Sequence, residues 1–309
     1  MPDTSCASIG ADIGSAKKPN PKPTTAAGSE AQISDLLARA RRLNAHLATT
    51  QAAVHPTWRG LCEIVAATER LGELTRHPEL ERVYSQEFNP AIRREFGSVE
   101  RYLKAKLDFA TTNDDASPQE PSWTCPPFEM VDGGRDAGGE RGSQFRVRLN
   151  DWGYSIPRHV EHYVVWVNRP LFHPSLCCPP DSRCREPSHS WDFVQSNGLS
   201  GLTGAASIDR LARRMRAEEP PVRSAPSRDE TQRGSEENDA GPRREIERFV
   251  ESRWPVKDGY ATAWFANPPR LQSVPGLAHF HVLMVRIEDE AAAQVREDAE
   301  LDAEGNRGD

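Results

Sequence analysis

The chain has 309 residues, a formal net charge of -7 and 37% hydrophobic residues. That apolar share is below the roughly 45–50% typical of globular chains, so part of the sequence cannot bury enough surface to offset its ordering entropy. An acidic balance argues against a general nucleic-acid binder, which carries a basic stripe. No apolar run reaches the roughly 18–20 residues of a membrane span. The N-terminal stretch has no apolar core of secretory type, so a cytoplasmic protein is expected. The six cysteines, without such a signal, fit a reducing compartment.

Residues 1–30 are rich in Pro, Ser, Ala and Gly without periodicity and are expected to be a disordered tail. A helical region spans 31–110. Ile33, Leu36, Leu37, Ala40, Leu43 and Leu47 fall at helical spacing, beside a basic face of Arg39, Arg41 and Arg42. Thr57, His77-Pro78, Asn89-Pro90 and Gly97-Ser98 then punctuate four predicted short helices, because capping residues and first-turn prolines open helices and glycine closes them. Residues 111–143, dense in Pro, Asp, Gly and Ser, are expected to be a linker or loop.

Strands follow. Phe145, Val147 and Leu149 alternate with Arg146, Arg148 and Asn150, the period-two pattern of a half-buried strand. After a turn at Asp151–Tyr154, the run His162–Val167 is β-branched and aromatic. Residues 172–243 show no coherent period except a possible basic helix at 205–217. They are expected to be a disordered insertion or a retained intron in the gene. A helix ending near Trp254-Pro255 and strands at 260–265 and 279–287 complete an α+β core made of 144–171 and 244–287. The segment 288–309 is expected to be a frayed acidic tail. Helices segregated from strands predict an α+β fold, a helical N-terminal part packed on a small mixed or antiparallel sheet.

The stretches WRGLCEIVAATERLGELTRHPELERVYSQEFNPAIRREFGSVERYL, LNDWGYSIPRHVEHYVVWVNRPL and WFANPPRLQSVPGLAHFHVLM resemble the fungal N-acetylglucosamine-induced protein family, a domain of unknown function. The resemblance covers about half the chain, in order. It implies a link to the response to an amino sugar and no established reaction.

The candidate chemistry lies in QSVPGLAHFHVLM. On a strand, His279 and His281 project to one face and Phe280 and Val282 to the other. Asn267, Gln272 and Ser273 just upstream are similar to the histidine-triad nucleotide-hydrolase pattern, although this chain has two of that pattern's three strand histidines. That likeness implies His279 as the group attacking phosphorus, His281 beside it, and Asn267, Gln272 and Ser273 on the phosphate. The competing expectation is that both histidines are hydrogen-bonded packing residues on a core strand. If the strand at 162–167 pairs with the one at 279–287, His162 joins them. Trp152 and Trp264 are candidates for stacking on a sugar, in competition with core packing. The partners expected are therefore a small-molecule phosphate or an amino sugar, with no nucleic acid and no membrane. No cofactor or metal is implied: the spacing of His173, Cys177, Cys178, Cys184 and His189 does not match paired zinc knuckles.

Overall fold

The computed structural model describes residues 26–50, 56–109, 145–168, 170–174, 177, 190–217 and 242–305. The expected linker at 111–143 lies outside them.

The N-terminal helices form where their caps dictate. Helix α1 runs Ala26–Thr50, so helix begins inside the stretch expected to be a disordered tail. In α2 (Trp58–Ala66), the Thr57 side chain accepts the Gly60 N–H. In α3 (Pro78–Arg82), His77 accepts the Glu79 N–H. Helix α4 is Asn89–Phe96, ended by Gly97 at φ 77°. Helix α5 (Val99–Lys106) is capped by Ser98, which accepts the Arg101 N–H. Asn89 does not act as the cap its sequence position suggested. A π turn, Val83–Phe88, runs straight into α4, and the Asn89 N–H bonds the Tyr84 carbonyl five residues back. The wide turn accommodates Pro90, whose ring would clash in a regular helix and which has no N–H to give.

Five strands make one antiparallel sheet: β1 (Phe145–Leu149), β2 (Glu161–Val167), β3 (Leu199–Thr203), β4 (Tyr260–Ala266) and β5 (His279–Arg286), in the order β1-β2-β5-β4-β3. One face buries Val165, Val167, Phe280, Val282 and Trp264 against Ile246, Phe249 and Val250 of α8 (Pro242–Arg253) and Val194 of α6 (Trp191–Asn197). On the other face, Ala263, Phe265, Leu283 and Val285 pack on Trp58, Leu61 and Val65 of α2. Ile208 and Ala212 of α7 (Ala205–Ala217) and Ala291 of α9 (Ile287–Gly305) join them. Each fully buried Val, Leu, Ile or Phe side chain among these contributes about 1.5–3 kcal/mol. A third core joins Ile33, Leu36 and Ala40 of α1 to Leu80, Tyr84, Phe88, Ile92 and Trp152. The fold is α+β.

Two expectations are corrected. Residues 172–243 are not a structureless insertion throughout, since 190–217 supply α6, the edge strand β3 and α7. Strand β3 (LSGLT) shows no alternation because Leu199, Ser200, Gly201 and Thr203 are all buried. Its small residues answer close neighbours. A Cβ on Gly201 would lie 2.5 Å from the Trp264 indole, and the Thr203 and Thr262 hydroxyls hydrogen-bond at 2.8 Å. The acidic segment after residue 287 is also helical as far as Gly305. It is anchored by buried Ile287, Glu290 and Ala291, and the Glu290 carboxylate contacts His159 Nε2 at 2.7 Å.

Candidate functional site

Strand β5 turns His279 and His281 to the same face as Leu283. Pairing with β2 sets Trp166 opposite His279 and Val164 opposite His281. His162, two residues before Val164, is thus a diagonal neighbour of His281, within reach of a long side chain. The two rings meet at 3.0 Å between His162 Nε2 and His281 Nδ1. The three imidazoles do converge, with centroids 5.1 Å apart for His162–His281 and 5.4 Å for His279–His281.

The proton on His279 is assigned by its neighbour. Nδ1 lies 2.8 Å from the Leu277 carbonyl oxygen. A carbonyl only accepts, so Nδ1 carries the hydrogen and the neutral ring presents a lone pair at Nε2. Burial pushes the His279 pKa down, which keeps the ring neutral. Burial, then nearby Arg76, lowers His162 to about 3. His281 also lies well below the ordinary value, through burial first and then His162, His279 and Arg76.

His279 and His281 are 5% and 7% exposed, yet both line a cleft of about 510 Å³ between the helical cluster and β1, β2 and β5. Trp152, Trp166, Tyr84 and Tyr102 supply aromatic surface there. The π turn at Val83–Phe88 delivers Tyr84, whose ring lies 5.1 Å from that of Trp152 and carries the Arg76 guanidinium at 4.2 Å. Four cations reach the cleft, Arg41, Arg76, Lys106 and Arg148, against one carboxylate, Asp151. Arg41 pairs with Asp151 at 2.6 Å, and Arg76 binds Glu81 and the Trp152 carbonyl at 2.8 and 2.9 Å. Arg148 and Lys106 are exposed and have no ion-pair partner among the described residues.

The remaining sequence candidates separate. Ser273 sits on the cleft wall, as does Trp152, which is also part of the helical core. Asn267 is buried and its amide reaches the Tyr154 hydroxyl at 3.4 Å, beside the His162 and His281 rings. Gln272 Nε2 donates to the Asn267 carbonyl at 2.9 Å, so its side chain braces the loop. Trp264 points to the opposite face, beneath α8, and does not belong to the cleft. Sequence reasoning missed Trp166 and Arg148 as site residues. Period-two alternation places each on the histidine face once β1, β2 and β5 are paired. Arg41, Arg76 and Lys106 had no such signal, because α1, the connection before α3 and the end of α5 bring them in. Among the described residues no three His, Cys, Asp or Glu side chains are arranged to hold a metal ion. No helix among them is long and apolar enough to cross a membrane.

A family model described as "Protein of unknown function (DUF3605)" matches residues 57–175 and 226–285, which include α2–α5, β1, β2, β4 and the histidines of β5. The chain belongs to this family. The matched segments carry all three clustered histidines, so the site is built from the family's own portion of the chain. No curated protein matches it. A solved structure titled "Crystal Structure of HTC1" aligns over 78% of this chain and 96% of its own at 17% identity, with a TM-score of 0.32. A likeness that weak carries no argument about the fold or its activity.

Proposed function

We propose that the cleft binds a phosphorylated small molecule, a nucleotide or a sugar phosphate, and that His279 transfers its phosphoryl or nucleotidyl group. The observation that carries this reading is the local inversion of charge. A chain of net charge -7 gathers four cations and one carboxylate, among the described residues, around the cleft that holds His279. Such focusing draws anions, and the cleft volume of about 510 Å³ suits a ligand of nucleotide size.

The chemistry follows from the His279 tautomer. Its Nε2 lone pair attacks phosphorus, an N–P bond forms, and the bond from phosphorus to the leaving oxygen breaks. That oxygen leaves with a proton. Water then attacks the phosphohistidine, the N–P bond breaks, and the lone pair returns to Nε2. Arg148 and Lys106, which have no ion-pair partner among the described residues, are placed to offset charge on the phosphoryl oxygens. Trp152 and Trp166 offer faces to a sugar or base. That is compatible with an amino-sugar phosphate and with the resemblance to N-acetylglucosamine-induced proteins.

The test is a panel of N-acetylglucosamine 6-phosphate, uridine diphosphate N-acetylglucosamine and nucleoside phosphates, followed by phosphorus NMR and by thermal melting. Product release that disappears in His279→Ala, with the fold intact, supports the reading. A raised melting temperature without turnover supports the second reading, a non-catalytic sensor of the same anion, which the deep burial of His279 favours. Neither turnover nor a melting shift with any of these probes would remove both.

A further inference from the structure

The contacts around the His162–His281 pair contain a choice. His162 Nδ1 lies 3.4 Å from the Tyr154 N–H, a backbone donor, and His162 Nε2 lies 3.3 Å from Asn150 Nδ2, an amide donor. Asn150 is held in that orientation, because its Oδ1 already accepts the Trp152 N–H at 3.0 Å. A neutral imidazole carries one hydrogen, so each of these donors fits one tautomer and opposes the other. With the hydrogen on Nε2, His162 accepts from Tyr154 and donates to His281 Nδ1. His281 must then carry its own hydrogen on Nε2. With the hydrogen on Nδ1, His162 accepts at Nε2 from Asn150 and from His281 Nδ1–H. His281 Nε2 is then a bare lone pair. Two donors at nearly equal distance serve two states.

We propose that His162 and His281 form a two-state tautomer switch, in which His281 is a proton donor to the cleft in one state and a proton acceptor in the other. The proposal rests on the phosphoryl-transfer reading for its use, but not for its existence. His281 lines the cleft beside His279, and among the described residues its Nε2 has no hydrogen-bond partner. His162 lines a second cleft of about 340 Å³, which shares Arg41, Leu149, Asn150 and Asp151 with the first. The imidazole pair therefore joins a residue lining one cleft to a residue lining the other.

The proton balance closes over one turnover. In the first half-reaction His281 Nε2–H gives its proton to the leaving oxygen, His162 Nε2–H passes its proton to His281 Nδ1, and His162 Nδ1 takes one from a water in the second cleft, which is left as hydroxide until the proton comes back. The pair is now in its other tautomer. In the second half-reaction His281 Nε2 takes a proton from the water attacking phosphohistidine, and both hops run backward. The proton borrowed from the second cleft is returned. Neither ring has to persist as an imidazolium, which agrees with burial holding both neutral.

The test is nitrogen NMR of the full chain labelled with ¹⁵N-histidine. In the ligand-free protein the switch gives His162 and His281 ring nitrogens at shifts intermediate between protonated and bare nitrogen. Asn150→Asp keeps the acceptor for the Trp152 N–H and replaces the amide donor by an acceptor. It drives His162 toward the Nε2–H form and His281 toward Nε2–H. With a turned-over phosphate ester, this variant forms phosphohistidine about 100-fold more slowly, because the first half-reaction ends in the tautomer that the substitution opposes. Limiting shifts of one tautomer in the unsubstituted protein, unmoved by Asn150→Asp, overturn the switch. Intermediate shifts without turnover of any ester support the switch and remove the phosphoryl-transfer reading instead.

Discussion

His279 stands across from Trp166 on the neighbouring strand, the ring centroids 4.7 Å apart and the planes at 36°, while its Nδ1 bonds the Leu277 carbonyl at 2.8 Å. Trp166 fixes the plane of the ring and Leu277 fixes its proton, so Nε2 is left as the group the cleft can use.

Replacing His279 by Ala removes that lone pair. Turnover of a bound phosphate ester falls at least about 100-fold, the scale of losing a positioned acid–base group, while the lost hydrogen bond to Leu277 costs about 1 kcal/mol of stability. Parallel rate and urea-unfolding measurements separate the two. Equal loss of rate and of folded protein would assign His279 a packing role only.

Arg148→Glu and Lys106→Glu reverse charge at the cleft without touching the core, since both residues are exposed. Stability should move by no more than about 0.5 kcal/mol. Affinity for phosphate esters should drop in both variants, and the salt dependence of binding should become shallower. Calorimetric titration at two ionic strengths checks this, and undiminished affinity in the double variant argues against the cleft as an anion site.

The buried imidazoles set an acid limit. His162 falls to about 3 in the folded chain, and His279 and His281 are lowered as well. The unfolded chain titrates near the ordinary value of about 6.5. Between those values the unfolded state binds protons that the folded state refuses. Stability is therefore complete above about pH 6.5 and is lost as pH falls through the window. His162 alone accounts for a loss on the order of several kcal/mol across it. Urea midpoints measured from about pH 7.5 down to about pH 4.5 should fall steadily, and a level profile contradicts the neutral cluster.

Gly201→Ala tests whether β3 belongs to the core. The added Cβ would meet the Trp264 ring at 2.5 Å, and Trp264 is fully buried beneath α8. Overpacking of this kind costs about 1–3 kcal/mol. Thermal melting that is unchanged from the parent would mean that residues 199–203 are not packed on Trp264.

Much of the sheet was legible because alternation is local. FRVRL and HFHVLMVR each declare two faces, and the structure keeps them. LSGLT was illegible for the opposite reason. Both of its faces are covered, and its small residues follow from a tryptophan more than sixty residues away. Asn89-Pro90 misled in a similar way, since a cap and a π turn use the same dipeptide and differ in the hydrogen bond that Tyr84 receives.

The sequence by itself determined that His279 and His281 share a side, because side chains on a strand repeat every second residue whatever the strand pairs with. Only the tertiary structure decided that His162 meets His281 at 3.0 Å across 119 residues, and that Arg41 of α1 and Arg76 of the connection before α3 reach the same cleft. Strand order and helix docking are settled by which apolar faces can be buried together, a long-range balance that no local pattern encodes.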